Sequence, residues 1–119
     1  MKPEIKSKWV AALKSGEYAQ GERRVLNDGF GGWCCLGVLC DIYAKEFGDL
    51  WERSGEGLRL SIGSCYYPPN EVRKWADFHE DESPVSIGNI ERSVAVHNDG
   101  VNCPRRTFAE IADAIEAQL

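Results

Sequence analysis

Trp33-Cys34-Cys35-Leu36-Gly37-Val38-Leu39-Cys40-Asp41 is the stretch on which the reading of this chain turns. From Leu36 to about Phe47 the pattern is helical. Leu36, Leu39, Cys40, Tyr43 and Phe47 form one apolar stripe, and Val38 and Ile42 widen it. Asp41 and Lys45 stand at i and i+4 on the opposite side, a mildly favourable pair. The spacing therefore predicts a buried helix with two adjacent thiols at its start. Such thiols read in three ways: as a nucleophile, as metal ligands, or as small core hydrophobes.

On the N-terminal side of this stretch, Asn27-Asp28-Gly29 and Gly31-Gly32 supply turn chemistry, because these residues tolerate positive φ. Arg23-Arg24-Val25-Leu26 reads as a short strand, with Trp33 to Cys35 returning beside it. Earlier still, Pro3 suits the first turn of a helix running to about Lys14. Ile5, Trp9, Ala12 and Leu13 share one face of that helix, and Gly16 stops it.

On the C-terminal side, Leu58, Leu60 and Ile62 alternate with polar residues as in a half-buried strand. Pro68-Pro69 precedes a short helix with Val72, Trp75 and Ala76 inward, and His79 to Ser83 forms an acidic loop. Ser93 to His97 alternates like a strand, with Val94 and Val96 on one face and His97 on the other, before the turn Asn98-Asp99-Gly100. Thr107 and Glu110 have capping-box spacing ahead of a stripe through Phe108, Ile111, Ile115 and Leu119.

The pattern predicts an α+β fold in a single globular domain spanning 1–119, with about four helices (3–14, 36–47, 70–77, 108–118) packed on a small, mainly antiparallel sheet. Its core is expected to hold Trp9, Leu13, Leu36, Leu39, Cys40, Tyr43, Val72, Trp75, Val94, Val96, Phe108, Ile111 and Ile115.

Composition narrows the function classes. A formal charge of −5 argues against non-specific DNA binding, which needs excess Lys and Arg to neutralise phosphates. No apolar run has the length of a membrane span. Met1 to Lys6 lacks the apolar stretch of a signal peptide, so reduced thiols in a cytoplasm are expected. Five cysteines cannot all pair within one chain. Adjacent Cys34 and Cys35 are poor disulfide partners, because neighbouring Cα atoms lie about 3.8 Å apart and a disulfide wants roughly 4.4–6.8 Å.

The segment Lys8-Trp9-Val10-Ala11-Ala12-Leu13-Lys14-Ser15-Gly16-Glu17-Tyr18, followed by Cys34-Cys35-Leu36-Gly37-Val38-Leu39-Cys40-Asp41, resembles a family of small uncharacterised proteins common in tailed-phage and prophage genomes. Pro69 to Trp75, and Asn98-Asp99-Gly100 followed by Phe108-Ala109-Glu110-Ile111-Ala112-Asp113, agree in order and spacing, while Gly48 to Tyr66 matches poorly. The resemblance implies a phage origin, action in the host bacterial cytoplasm and interference with host defence. It carries no chemistry, and it assigns no role to His97, where the family usually has an aliphatic residue.

Four constellations remain to be weighed. Cys34 before a helix, with His97 as base and Asp99 or Asn98 orienting it, would make a small cysteine hydrolase or transferase. Against this, Cys35 and Cys40 fall on the apolar face and read as core. No paired C-x2-C knuckle supports a metal, and no cofactor is expected. Arg23, Arg24, Arg105 and Arg106, with Trp33, Tyr66 and Tyr67 as stacking faces, have the chemistry of a nucleotide site, if necessary assembled across a homodimer. The plain alternative is solvated charges and core aromatics. Glu71, Asp77, Glu80, Asp81 and Glu82 could present a negative patch to a basic host protein, or be a solvated loop. The expectation is a non-enzymatic binding protein that inhibits a host or anti-phage defence component, by blocking a protein surface or by sequestering a nucleotide signal. The cysteine enzyme is its alternative.

Overall fold

The structure, a computed structural model, describes residues 1–21, 24–61 and 63–119. At its centre is α2 (Cys35–Phe47), whose residues from Cys35 to Asp41 are all buried. Cys34 caps it, with its sulfur accepting from the Gly37 amide at 3.3 Å. Gly37 has no alternative here, because a Cβ would run into the carbonyl of Leu26. The same Leu26 carbonyl accepts from the Cys34 amide at 3.1 Å, so the thiol pair is fixed by backbone pressed directly on the helix start. Gly48, at φ 71°, supplies the left-handed cap at the other end.

Around α2 lie α1 (Pro3–Lys14) and α5 (Phe108–Gln118), which pack closely on each other. The start of α1 follows from Pro3 in its first turn and Glu4 beside the helix N-terminus; Ile5, Trp9, Val10 and Leu13 are its buried face. Trp9 donates from Nε1 to the Cys35 carbonyl at 2.8 Å, pinning α1 to the first turn of α2. The start of α5 has the full capping box: the Glu110 amide donates to Thr107 and the Thr107 amide donates to Glu110, each at 3.2 Å. Lys14 ties the outer faces of the two helices through Asp113 at 2.6 Å.

The strands are short and peripheral. β1 (Ala19–Gln20) and β2 (Gly32–Trp33) pair in parallel, while β3 (Glu52–Ser54) with β4 (Gly57–Arg59), and β5 (Val85–Ile87) with β6 (Ile90–Arg92), are antiparallel hairpins. Asn27 bridges to both Trp33 and Leu58, joining the first two pairs. In β5–β6, Gly88 and Asn89 both have positive φ, as the tightest hairpin turn requires. α3 (Asn70–Ala76) packs over α2, and α4 (Val94–Asp99) lies between α2 and α5. The α+β architecture and the four longer helices are as the sequence predicts.

Several expectations are corrected. Ser93 to His97 is not a strand: Ser93 accepts from the Val96 amide at 3.3 Å and Gly100 closes the other end at φ 72°, so the segment coils into α4. Val94, His97 and Asn98 are buried at helical spacing, and Val96, expected in the core, is half-buried. Arg24 to Leu26 do not form a strand: the return of the chain is held by the Cys34 amide on the Leu26 carbonyl and by single antiparallel bridges from Asn27 to Trp33 and Leu58. Arg23 lies outside the described residues, and α2 already begins at Cys35. Tyr43 and Trp75 pack on the core but are only partly buried. Leu60 is buried just beyond β4, and Ile62, assigned with it to a strand, lies outside the described residues. Among the described residues no helix is long and apolar enough to cross a membrane.

Candidate functional site

The thiols come first. Cys34, Cys35, Cys40 and Cys65 are buried and unpaired; Cys103 is half-buried. Burial pushes the Cys34 thiol up to about 12, with the charges of Asp99 and Glu80 acting in the same direction and the Gly37 amide opposing them. Burial raises Cys35 and Cys40 as well. The helix N-terminus thus does not favour a thiolate at Cys34, because desolvation outweighs the backbone hydrogen bonds from Gly37 and Leu36. His97 lies on α4 with its Nε2 within 2.9 Å of the Val85 carbonyl, an arrangement that requires a proton on Nε2. Its Nδ1 has no partner among the described residues. Asp99 accepts from Asn98 Nδ2 at 3.0 Å, and burial raises its carboxyl, opposed by Asn98, Arg24 and Arg105. Among the described residues neither Cys34 nor Asp99 bonds to His97, so the arrangement drawn for a cysteine enzyme is not assembled. No three His, Cys, Asp or Glu among the described residues are grouped to hold a metal ion.

The arginines expected to form a ligand site come together in part, whereas none of the three aromatics lines the depression beside them. Arg23 lies outside the described residues. Arg24 is exposed and acts on Asp99. Arg105 donates from Nε to the Asn98 carbonyl at 3.0 Å and reaches the Gly21 carbonyl with its terminal nitrogen. Arg106 pairs with Glu110 at 3.1 Å. Together with Gln20 and Thr107, Arg105 and Arg106 line an open depression of about 240 Å3. Trp33 pairs with Gln20 in the β1–β2 ladder but does not line the depression; its ring stands edge-on to Tyr18 and Trp51, with ring centres 5.1 and 5.4 Å away. Tyr66 and Tyr67 are exposed on the approach to α3.

Two polar hubs that sequence reasoning missed organise this region. Asn98 Oδ1 accepts from the Cys35 amide at 3.2 Å and from Gln20 Nε2 at 3.1 Å, linking α4, α2 and β1. Buried Asp41 accepts from Tyr18 at 2.6 Å and Trp51 at 2.9 Å and pairs with Lys45 at 3.3 Å. Asp41 and Lys45 were visible as an i, i+4 pair, but nothing in the local pattern showed the two aromatic donors. Both hubs are internally satisfied and hold the fold.

One concavity combines a buried apolar floor with an acidic rim. Leu39 from α2, Val72 from α3 and Phe78 form the floor of a cleft of about 150 Å3, and Tyr67, Arg73, His79, Glu80, Asp81 and Glu82 rise around it. Local backbone explains it. Asp77, in the left-handed region at φ 51°, ends α3 and turns the chain so that the Phe78 amide donates back to the Arg73 carbonyl at 3.1 Å. Phe78 then points inward, against Trp9 with ring centres 5.2 Å apart, and the acidic 3-10 turn Glu80–Glu82 is left on the rim. Glu80 is half-buried and accepts from the Ala95 amide at 3.3 Å; burial raises its carboxyl, Asp81 and Asp99 add to the effect, and Ala95 and Arg73 oppose it. Asp81 and Glu82 are exposed and take part in no ion pair among the described residues. The cleft is about half the roughly 300 Å3 at which small-molecule pockets begin.

A family model described as a domain of unknown function (DUF8296) matches residues 1–119. No curated protein and no solved structure matches the chain.

Proposed function

The chain belongs to the DUF8296 family along its whole length, and from that footing we propose that it is a phage-encoded, non-enzymatic binding protein. It acts in the host cytoplasm and inhibits a host or anti-phage defence component by covering a protein surface. The observation that carries this reading is the cleft beside α3: an apolar floor under an acidic rim on which Asp81 and Glu82 make no ion pair among the described residues. Such a surface suits a basic protein face, and a net charge of −5 steers a basic partner toward it. The neutral thiol of Cys34, far from a useful nucleophile at neutral pH, weighs against the cysteine hydrolase or transferase. Sequestration of a nucleotide is a second form of the binding reading. It is favoured by the depression beside Arg105 and Arg106, although Glu110 already neutralises Arg106 there.

Plating efficiency of a defence-sensitive phage on cells expressing the chain, combined with native mass spectrometry of the purified complex, tests the proposal. The expected result is restored plating and a protein partner held in fixed stoichiometry. Restored plating with only a small molecule retained moves the reading to sequestration. Unchanged plating with nothing retained overturns both forms.

A further inference from the structure

We propose that the cleft between α3 and the Glu80–Glu82 turn receives one arginine side chain projected from a basic partner protein. The inference rests on the protein-blocking form of the reading above and names the chemistry of the surface that is blocked.

The size of the cleft points to a single side chain. A cavity of about 150 Å3 holds one benzene-sized group, and a nucleotide needs several times that space. Its floor is closed by the apolar side chains of Leu39, Val72 and Phe78, each no more than 3% exposed, so only the tip of a long side chain reaches it. Its rim is matched to a cation. Arg73 acts on Glu80, whereas Asp81 and Glu82 are without an internal counter-charge among the described residues. Tyr67, 61% exposed, lines the mouth, and an aromatic ring there can attract a cation.

Arginine fits this set better than lysine. Its planar guanidinium engages carboxylates in paired hydrogen bonds and stacks on an aromatic ring, while an ammonium does neither. A second copy of this chain is a poor occupant, because each copy brings the same net charge of −5.

Two-dimensional NMR of the folded chain, titrated with a blocked Gly-Arg-Gly peptide and its lysine and citrulline counterparts, tests the assignment. Saturable shifts are expected at Tyr67, Val72, Arg73, Phe78 and Asp81, weaker with lysine and absent with citrulline. The double variant Asp81→Asn, Glu82→Gln is expected to bind the arginine peptide about tenfold more weakly. Shifts that do not saturate, that appear equally with citrulline, or that are unchanged in the double variant overturn the inference. The same variant in the plating assay separates the two proposals. If it restores plating as well as the wild type, the arginine pocket fails and surface blocking stands. If the wild type binds the peptide but never restores plating, the pocket stands and the inhibitory reading fails. A homodimer that the double variant dissolves would assign the cleft to a second copy and overturn the partner proposed here.

Discussion

The first two turns of α2 and the cleft over its middle are built from similar residue types put to opposite uses. At the helix start, Cys34, Cys35 and Asp41 are enclosed and every strong polar group finds an internal partner: Asn98 takes the Cys35 amide, Gly37 donates to Cys34, and Tyr18, Trp51 and Lys45 converge on Asp41. At the cleft, carboxylates stand beside an apolar floor with little to answer them. A nucleophile-bearing motif that is fully satisfied has no capacity left for a ligand. A loop that leaves charge unpaired over buried apolar side chains retains that capacity.

Alkaline pH should strain this contrast most. The thiol of Cys34 is raised in the folded state from its ordinary value near 9 to about 12, and Cys35 and Cys40 are raised as well. Above pH 9 the unfolded chain therefore releases protons that the folded chain keeps. Stability present at neutral pH is lost as the pH rises through that window, by at most about 1.4 kcal/mol per pH unit for each thiol. Denaturant melts at pH 8 and pH 10 measure the loss, and Cys34→Ala should flatten it. Equal slopes in the two proteins would mean that Cys34 is not held neutral. In the folded protein, iodoacetamide should label half-buried Cys103 before any of the other four.

Leu39 belongs to both regions, since it is 1% exposed and also forms part of the cleft floor. Leu39→Ala should cost about 2–5 kcal/mol through lost burial and the cavity left behind. An unchanged denaturation midpoint would remove Leu39 from the core. Asp41→Asn should cost less, on the order of 1–3 kcal/mol. An amide keeps one acceptor but turns a donor toward Tyr18 or Trp51 and gives up the pairing with Lys45. A melt indistinguishable from wild type would show Asp41 to be dispensable as a hub.

How much of this was legible depended on element length and on the reach of each contact. α1, α2 and α5 each repeat an apolar stripe over three turns, and Pro3, Gly48 and the Thr107–Glu110 box mark their ends, so period and caps agree. α4 spans only six residues, too few for alternation and helical spacing to be told apart. Ser93 and Gly100, which bracket it, were the better signal. Gly88-Asn89 was likewise a readable turn between Val85 and Arg92. The site was harder. Glu80 to Glu82 stood out as charge, but the floor beneath them comes from Leu39, Val72 and Phe78 on three separate segments. Asn98 reaches Gln20 and the Cys35 amide across 78 and 63 positions, a link no local pattern contains.

The smallest effect on stability should come from the residues with the largest expected effect on binding. Asp81 and Glu82 are exposed, make no ion pair among the described residues, and cap nothing in α3 or α4. Replacing them by Asn and Gln keeps shape and removes only charge, so the unfolding free energy should stay within about 0.5 kcal/mol of wild type. The repulsion of Glu80 by Asp81 is relieved at the same time, which sets the expected sign as stabilising. It also leaves Glu80, whose carboxyl Asp81 helps to raise, closer to its ordinary range. Paired melts at low and high salt can read this. The gain should shrink as salt screens the exposed charges, and it should do so within the range where the Debye length falls from about 30 Å to about 8 Å. A loss of more than about 1 kcal/mol at either salt would show that these carboxylates hold the turn together, and the contrast between a satisfied helix start and an unsatisfied cleft would be gone.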